Sequence, residues 1–114
     1  MSFYRWLISR ITWSCAGLAV AWRQEVSFRV WTRVNLVSAA LAFWLLEGAE
    51  LALILALGLL ILAVELVNTG IERAVDLVSL EHSDLARQAK DTGSAGVMLA
   101  AIAAGVAWLV CLIT

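Results

Sequence analysis

Of the 114 residues, 63% are hydrophobic and 15% charged, and none is proline. Soluble domains run near about 45–50% apolar and about 25% charged, so a water-soluble enzyme is excluded in favour of a small integral membrane protein built of helices. A net charge of −1 and the lack of any basic run give no reason to expect a nucleic-acid partner.

Residues 3–24 read as an amphipathic helix lying on the membrane surface. Tyr4, Leu7, Ile8, Ile11, Cys15, Leu18 and Trp22 fall on one face, with Arg5, Ser9, Thr12 and Arg23 opposite. Trp6, Trp13 and Val20 form a narrower second stripe. Tryptophan favours the interfacial depth, so the helix reads as an anchor. To be the wall of a lipid-binding cleft it would need a neighbouring helix on that second stripe.

Three transmembrane helices follow, over about 28–46, 51–78 and 93–113. A span needs about 20 residues to cross about 30 Å of hydrocarbon. The first reaches that length by letting Arg29 and Arg33 extend toward the headgroups. Five arginines lie within residues 1–33, and Arg73, Arg87 and Lys90 lie in the 72–91 connection. The positive-inside rule therefore places both segments in the cytoplasm, with the 47–50 turn and Thr114 outside. No cleavable signal is apparent. Cys15 and Cys111 fall on opposite sides of this topology, so no disulfide is expected between them.

The second span carries the most informative pattern. After the apolar run Leu51 to Val64, polar residues recur at helical spacing as Glu65, Asn68, Glu72 and Asp76, on one stripe of one helix. A carboxylate at membrane depth costs on the order of 2.5–3.5 kcal/mol even on the lenient scales and marks a site by default. At 1.5 Å per residue, Glu65 lies about 21 Å and Glu72 about 31 Å from Leu51, and a helix continuing to Leu80 is roughly 45 Å long. Its end projects beyond the bilayer, and the polar 79–90 segment then connects to the third span. Small residues such as Gly93, Ser94, Gly96 and Ala100 allow close helix approach there.

Glu25, Glu72, Lys90 and Asp91 share one interfacial layer, with Glu65 a little deeper. Mg²⁺ takes a few carboxylates together with phosphate oxygens, and a lysine supplies a point charge for phosphate. Taken singly, Asp76 and Glu81 are ordinary helix-end charges and His82 a solvated histidine. No G-x-x-x-x-G-K-(S/T) loop or protein-kinase signature is present.

Three segments resemble a known family. Glu65-Leu66-Val67-Asn68-Thr69-Gly70-Ile71-Glu72-Arg73-Ala74-Val75-Asp76 resembles the E-x-x-N-(S/T)-(A/G)-I-E-x-x-V-D signature of the prokaryotic diacylglycerol kinases. Ala89-Lys90-Asp91-Thr92-Gly93-Ser94-Ala95 is similar to that family's A-K-D-x-(G/A)-(S/A)-A element, and Ala21-Trp22-Arg23-Gln24-Glu25 with Phe28-Arg29 to its A-W-x-x-E-x-x-F-R element. The resemblance runs through essentially the whole chain.

It implies a homotrimeric inner-membrane lipid kinase, all-α, that moves the γ-phosphate of MgATP to a lipid hydroxyl. It assigns Glu65 as the general base, supported by Asn68, and Glu25 and Glu72 to the metal. Lys90 and Asp91 would bind ATP, with Glu81 and Arg5 bordering it. Trp22, Arg29 and Ser94 would border the lipid. Trp31 stands where proteobacterial members usually carry an acid, and Ser83 where His is common. The spacing from Arg5 to Gly17 is one residue longer than usual, which makes Arg10 a competitor for the Arg5 role. Gly93-Ser94 resembles the branch that phosphorylates diacylglycerol, and Val75-Asp76-Leu77-Val78 the branch that phosphorylates undecaprenol; diacylglycerol is the favoured reading. A proton-coupled exporter using Glu65 as its carrier acid would need no acid–lysine cluster at the interface, and a purely structural oligomer would leave the cost of Glu65 unexplained.

Overall fold

Four helices follow one another with almost no chain between them. The computed structural model describes residues 2–114, as α1 (Phe3–Gln24), α2 (Val26–Leu45), α3 (Gly48–Val78) and α4 (Asp84–Ile113). The Ser2 hydroxyl caps α1 by accepting from the Arg5 backbone N–H at 3.2 Å. A single extended residue, Glu25 (φ −113°, ψ 109°), then separates α1 from α2. Between α2 and α3 the chain turns through extended Leu46 and Glu47 into Gly48. Gly48 has φ of 60°, a left-handed conformation that a side chain disfavours.

The last connection is shorter than the sequence suggests. The Ser83 hydroxyl accepts from the Ala86 backbone N–H at 3.1 Å, and Asp84 sits in the first turn, where the helix dipole favours an acid. Arg87 then bridges Asp84 at 3.7 Å and Asp91 at 3.5 Å along the helix surface. The helix that carries the third apolar stretch therefore starts at Asp84, and only 79–83 remain as a link.

α3 is the central element and packs along α4 and α2, while α1 touches α2 and α3 more lightly. Ala21, in its last full turn, is the one buried residue of α1. Away from the polar stripe, Ala42, Ile54, Ala107 and Cys111 form a core with Leu46, Leu51, Leu57 and Trp108 against it. Ala42 is fully buried, so α2 approaches closely there. The Trp108 indole Nε1 donates to Ser38 Oγ at 2.9 Å, tying α4 to α2.

α3 and α4 are both long and apolar enough to cross a membrane. Only 17% and 11% of their most apolar stretches are buried within the chain, whereas the core helices of a soluble domain are mostly buried. Trp44, Leu59, Leu99 and Leu109 are among the many large apolar side chains left on the exterior. α2 has the length of a span but carries Arg29, Arg33 and Asn35. Cys15 is exposed, Cys111 is buried, and both are free.

Candidate functional site

The stripe on α3 opens into a cleft of about 580 Å³ between α2, α3 and α4. Glu65, Asn68 and Glu72 line it from α3, Ser27 and Trp31 from α2, and Ser94, Val97 and Met98 from α4. Its α3 side is polar, whereas on the α4 side Val97, Met98, Ala101 and Ile102 make it apolar beyond Ser94. Glu65 is only 5% exposed and accepts a hydrogen bond from the Ser27 hydroxyl at 2.6 Å. One turn on, the Asn68 amide Nδ2 donates to Glu72 Oε1 at 3.3 Å. Asn68 Oδ1 is buried with no partner among the described residues. It faces Gly93 of α4 so closely that a Cβ at that position would collide with it. Small residues on α4 thus bring its backbone against the stripe.

Further along α3, Lys90 Nζ of α4 pairs with Asp76 Oδ1 at 2.8 Å. Lys90 lies before the apolar stretch of α4. The hydrogen bond to Asp76 raises its pKa above the ordinary lysine value, partial desolvation opposes this, and the charges of Asp76 and Glu72 reinforce it. Lys90, Asp91, Glu81, His82 and Arg87 line a smaller groove of about 120 Å³. Glu25, at the α1–α2 junction, accepts from Arg73 Nη2 at 2.8 Å, and the same nitrogen donates to Gln24 Oε1 at 3.0 Å.

Comparison with known proteins decides the family. The model of the prokaryotic diacylglycerol kinases matches residues 12–112. This chain belongs to that family. A diacylglycerol kinase of Pseudomonas aeruginosa is 41% identical over 103 residues, covering 90% of this chain and 84% of that protein. One from Escherichia coli K12 is 34% identical over 107 residues, 93% of this chain and 88% of its own length. One from Haemophilus influenzae is 35% identical over 103 residues, 90% and 87%.

In this diacylglycerol-kinase-family chain, the residues singled out from the sequence fall into three groups. Glu65, Asn68, Glu72 and Ser94 meet in the cleft. Glu81, Lys90 and Asp91 meet in the groove beyond it, where Asp76 takes the lysine. Arg5, Trp22, Glu25 and Arg29 line neither cavity. Arg29 Nη1 donates to the Trp22 carbonyl oxygen at 2.6 Å, and the Trp22 ring carries the Arg33 guanidinium 6.0 Å from its centroid. Arg5 sits near the start of α1, roughly 28 Å of helix from Gln24, so the fold of one chain does not bring it to the cleft. Arg10 is likewise spent on α1, over the rings of Trp6 and Trp13 at 5.6 and 5.2 Å.

No group of three or more His, Cys, Asp or Glu side chains converges to hold a metal among the described residues. That is the wrong donor set for a resident ion. It suits Mg²⁺ arriving with phosphate oxygens, which needs only one or two protein carboxylates. Glu72 lines the cleft and fits that role directly. Glu25 fits it only on leaving Arg73. Two contacts escaped the sequence reading, Ser27 to Glu65 and Arg73 to Glu25. Both join residues far apart in the chain, and neither hydrogen bond leaves a signature in local periodicity.

Proposed function

We propose that this chain transfers the γ-phosphate of MgATP to the hydroxyl of diacylglycerol, giving phosphatidic acid. The reaction takes place at the cytoplasmic interface of a bacterial inner membrane, in a homotrimer whose subunits span the bilayer with α2, α3 and α4. The observation that carries this reading is the buried Glu65 carboxylate, facing a cleft that is apolar on one side and bordered by Asn68 and Glu72 on the other. A lipid hydroxyl can reach that depth from the bilayer while the charged donor stays nearer water.

Glu65 takes the proton of the lipid hydroxyl, whose oxygen attacks the γ-phosphorus. Asn68 holds Glu72 in place, and Glu72 with Glu25 binds the metal of the nucleotide. The chemistry a bound Mg²⁺ supplies there is neutralisation of charge on the phosphate oxygens. Lys90 and Asp91 bind the nucleotide at the outer groove, the lysine through its charge on phosphate, bordered by Glu81. Ser94, on the cleft wall, and Trp22 and Arg29, at the membrane surface, hold the lipid. The trimer is supported by the apolar side chains left bare on α2, α3 and α4 and by Arg5, which one chain leaves remote from the cleft and a neighbouring copy could supply.

The test offers diacylglycerol and undecaprenol side by side in detergent micelles with radiolabelled ATP. Label in phosphatidic acid supports the reading. Label only in the undecaprenol product moves the chain to the other branch, and label in neither overturns the lipid-kinase assignment. In the same assay Glu65→Gln is expected to lose at least about 100-fold in turnover while nucleotide affinity is kept. Loss of both together would move Glu65 into the nucleotide shell.

A further inference from the structure

We infer that Ser27 is a positioning residue for phosphoryl transfer, holding the Glu65 carboxylate by one oxygen so that the other faces the substrate hydroxyl. This rests on the reading of Glu65 as the proton acceptor. The contact is specific to the tertiary fold. Ser27 lies in the first turn of α2 and Glu65 just past the middle of α3, yet their oxygens are 2.6 Å apart. That length is at the short end for a hydroxyl–carboxyl hydrogen bond.

Two helical threonines behave differently. Thr32 donates to the Phe28 carbonyl oxygen and Thr92 to that of Gln88, each one turn back in its own helix. Ser27 instead crosses to the neighbouring helix. It sits on the rim of the cleft, exposed, where its hydroxyl could as easily have turned to water.

The kind of donor matters as well. Glu25 and Asp76 are held by cations, Arg73 and Lys90, each at 2.8 Å. Glu65 has a neutral donor, which fixes direction without forming an ion pair. Oε1 takes the Ser27 bond, and Oε2 is bonded by no other described residue. As the lipid oxygen bonds phosphorus and the bond from phosphorus to the departing ADP oxygen breaks, the lipid proton passes to Oε2. A carboxylate free to rotate would present that oxygen in the productive direction only part of the time. Misplacement of about 1 Å can cost on the order of 100-fold in rate.

The experiment measures kcat and both KM values for the full-length protein in micelles. Ser27→Ala is expected to lower kcat about ten- to a hundred-fold, with KM for ATP and for lipid each within about twofold and the melting temperature kept. Ser27→Thr, which retains the hydroxyl, is expected to restore most of kcat. Ser27→Cys keeps the size with a weaker donor, is expected to fall between them, and serves if the alanine variant fails to assemble. In a Glu65→Gln background, Ser27→Ala is expected to change the residual rate by less than about twofold, because the two residues act as one unit. An unchanged kcat in Ser27→Ala, an equal fold-loss in both backgrounds, or a threonine variant as slow as alanine would each overturn the role of Ser27. Full turnover in Glu65→Gln alone would instead overturn Glu65 as the proton acceptor.

Discussion

The same three helices are joined by opposite means at their two ends. At the Ala42 end, α2, α3 and α4 close on small and aliphatic side chains, and one hydrogen bond, Trp108 to Ser38, lies beside the core. At the Glu65 end a gap of about 580 Å³ is edged by the carboxylates of Glu65 and Glu72 and the Asn68 amide, whereas the gap of about 470 Å³ toward the Ala42 end is lined mostly by apolar side chains such as Leu41, Leu45 and Leu112. Helix packing costs little where no polar group needs a partner, so one end can be apolar. Buried acids need partners or access to water, so at the other end Ser27 is held to Glu65 and Asn68 to Glu72. One end supplies stability and the other keeps its reactive groups available.

Breaking the polar end should cost activity before stability. Glu72→Gln is expected to lower phosphoryl transfer on the order of 100-fold, because an amide is a poor Mg²⁺ ligand. Its side-chain oxygen can still accept from Asn68, so the fold should survive. Near wild-type turnover at limiting Mg²⁺ would remove Glu72 from the metal.

Gly93→Ala and Gly96→Ala sharpen the contrast on one helix. An alanine Cβ at 93 meets buried Asn68 Oδ1 and forces that side chain to turn, whereas at 96 it rests 3.5 Å from a methyl of Val64. The first is expected to lose about tenfold in turnover through misplaced Glu72. It should also lose about 1–3 kcal/mol to overpacking, offset in part by about 1 kcal/mol of helix propensity. The second should be neutral or gain up to about 1 kcal/mol. Equal behaviour in thermal unfolding and turnover would mean that the approach of α4 to Asn68 is not what sets the site.

Arg73→Ala tests whether Glu25 is available. The pair is half-exposed on the arginine side, so its loss should cost no more than about 1 kcal/mol. Freed from Arg73, Glu25 should let half-maximal activity occur at a few-fold lower Mg²⁺, on the order of the same 1 kcal/mol. A higher Mg²⁺ requirement would show that Arg73 assists the nucleotide instead. The smallest effect on turnover is expected at the apolar end. Trp108→Phe removes the bond to Ser38 and should cost about 0.6–1.7 kcal/mol in unfolding with turnover unchanged. A loss of activity there would show that the two ends are coupled.

Much of this was legible along the chain because it depends on local periodicity. The apolar runs fix where helices form, and the spacing of Glu65, Asn68 and Glu72 puts them on one stripe whatever packs against it. The start of α4 was harder to place, since the Ser83 cap and Asp84 lie in a polar segment that reads as a connection when hydrophobicity is the guide. The burial of Glu65 at helical register was foreseeable from its cost in a membrane, and so was the Gly93 approach as a small-residue contact.

Sequence alone therefore determined the helical membrane class, the acid–amide stripe and the family to which its motifs point, all of which follow from residue type and short-range spacing. Tertiary structure decided which groups become partners. Ser27 goes to Glu65, Arg73 takes Glu25, and Lys90 takes Asp76, leaving Glu72 with Asn68. The physical reason is that a hydrogen bond or ion pair needs its atoms within about 3 Å. No pattern along one helix reveals how its neighbour is rotated or how far it has slid.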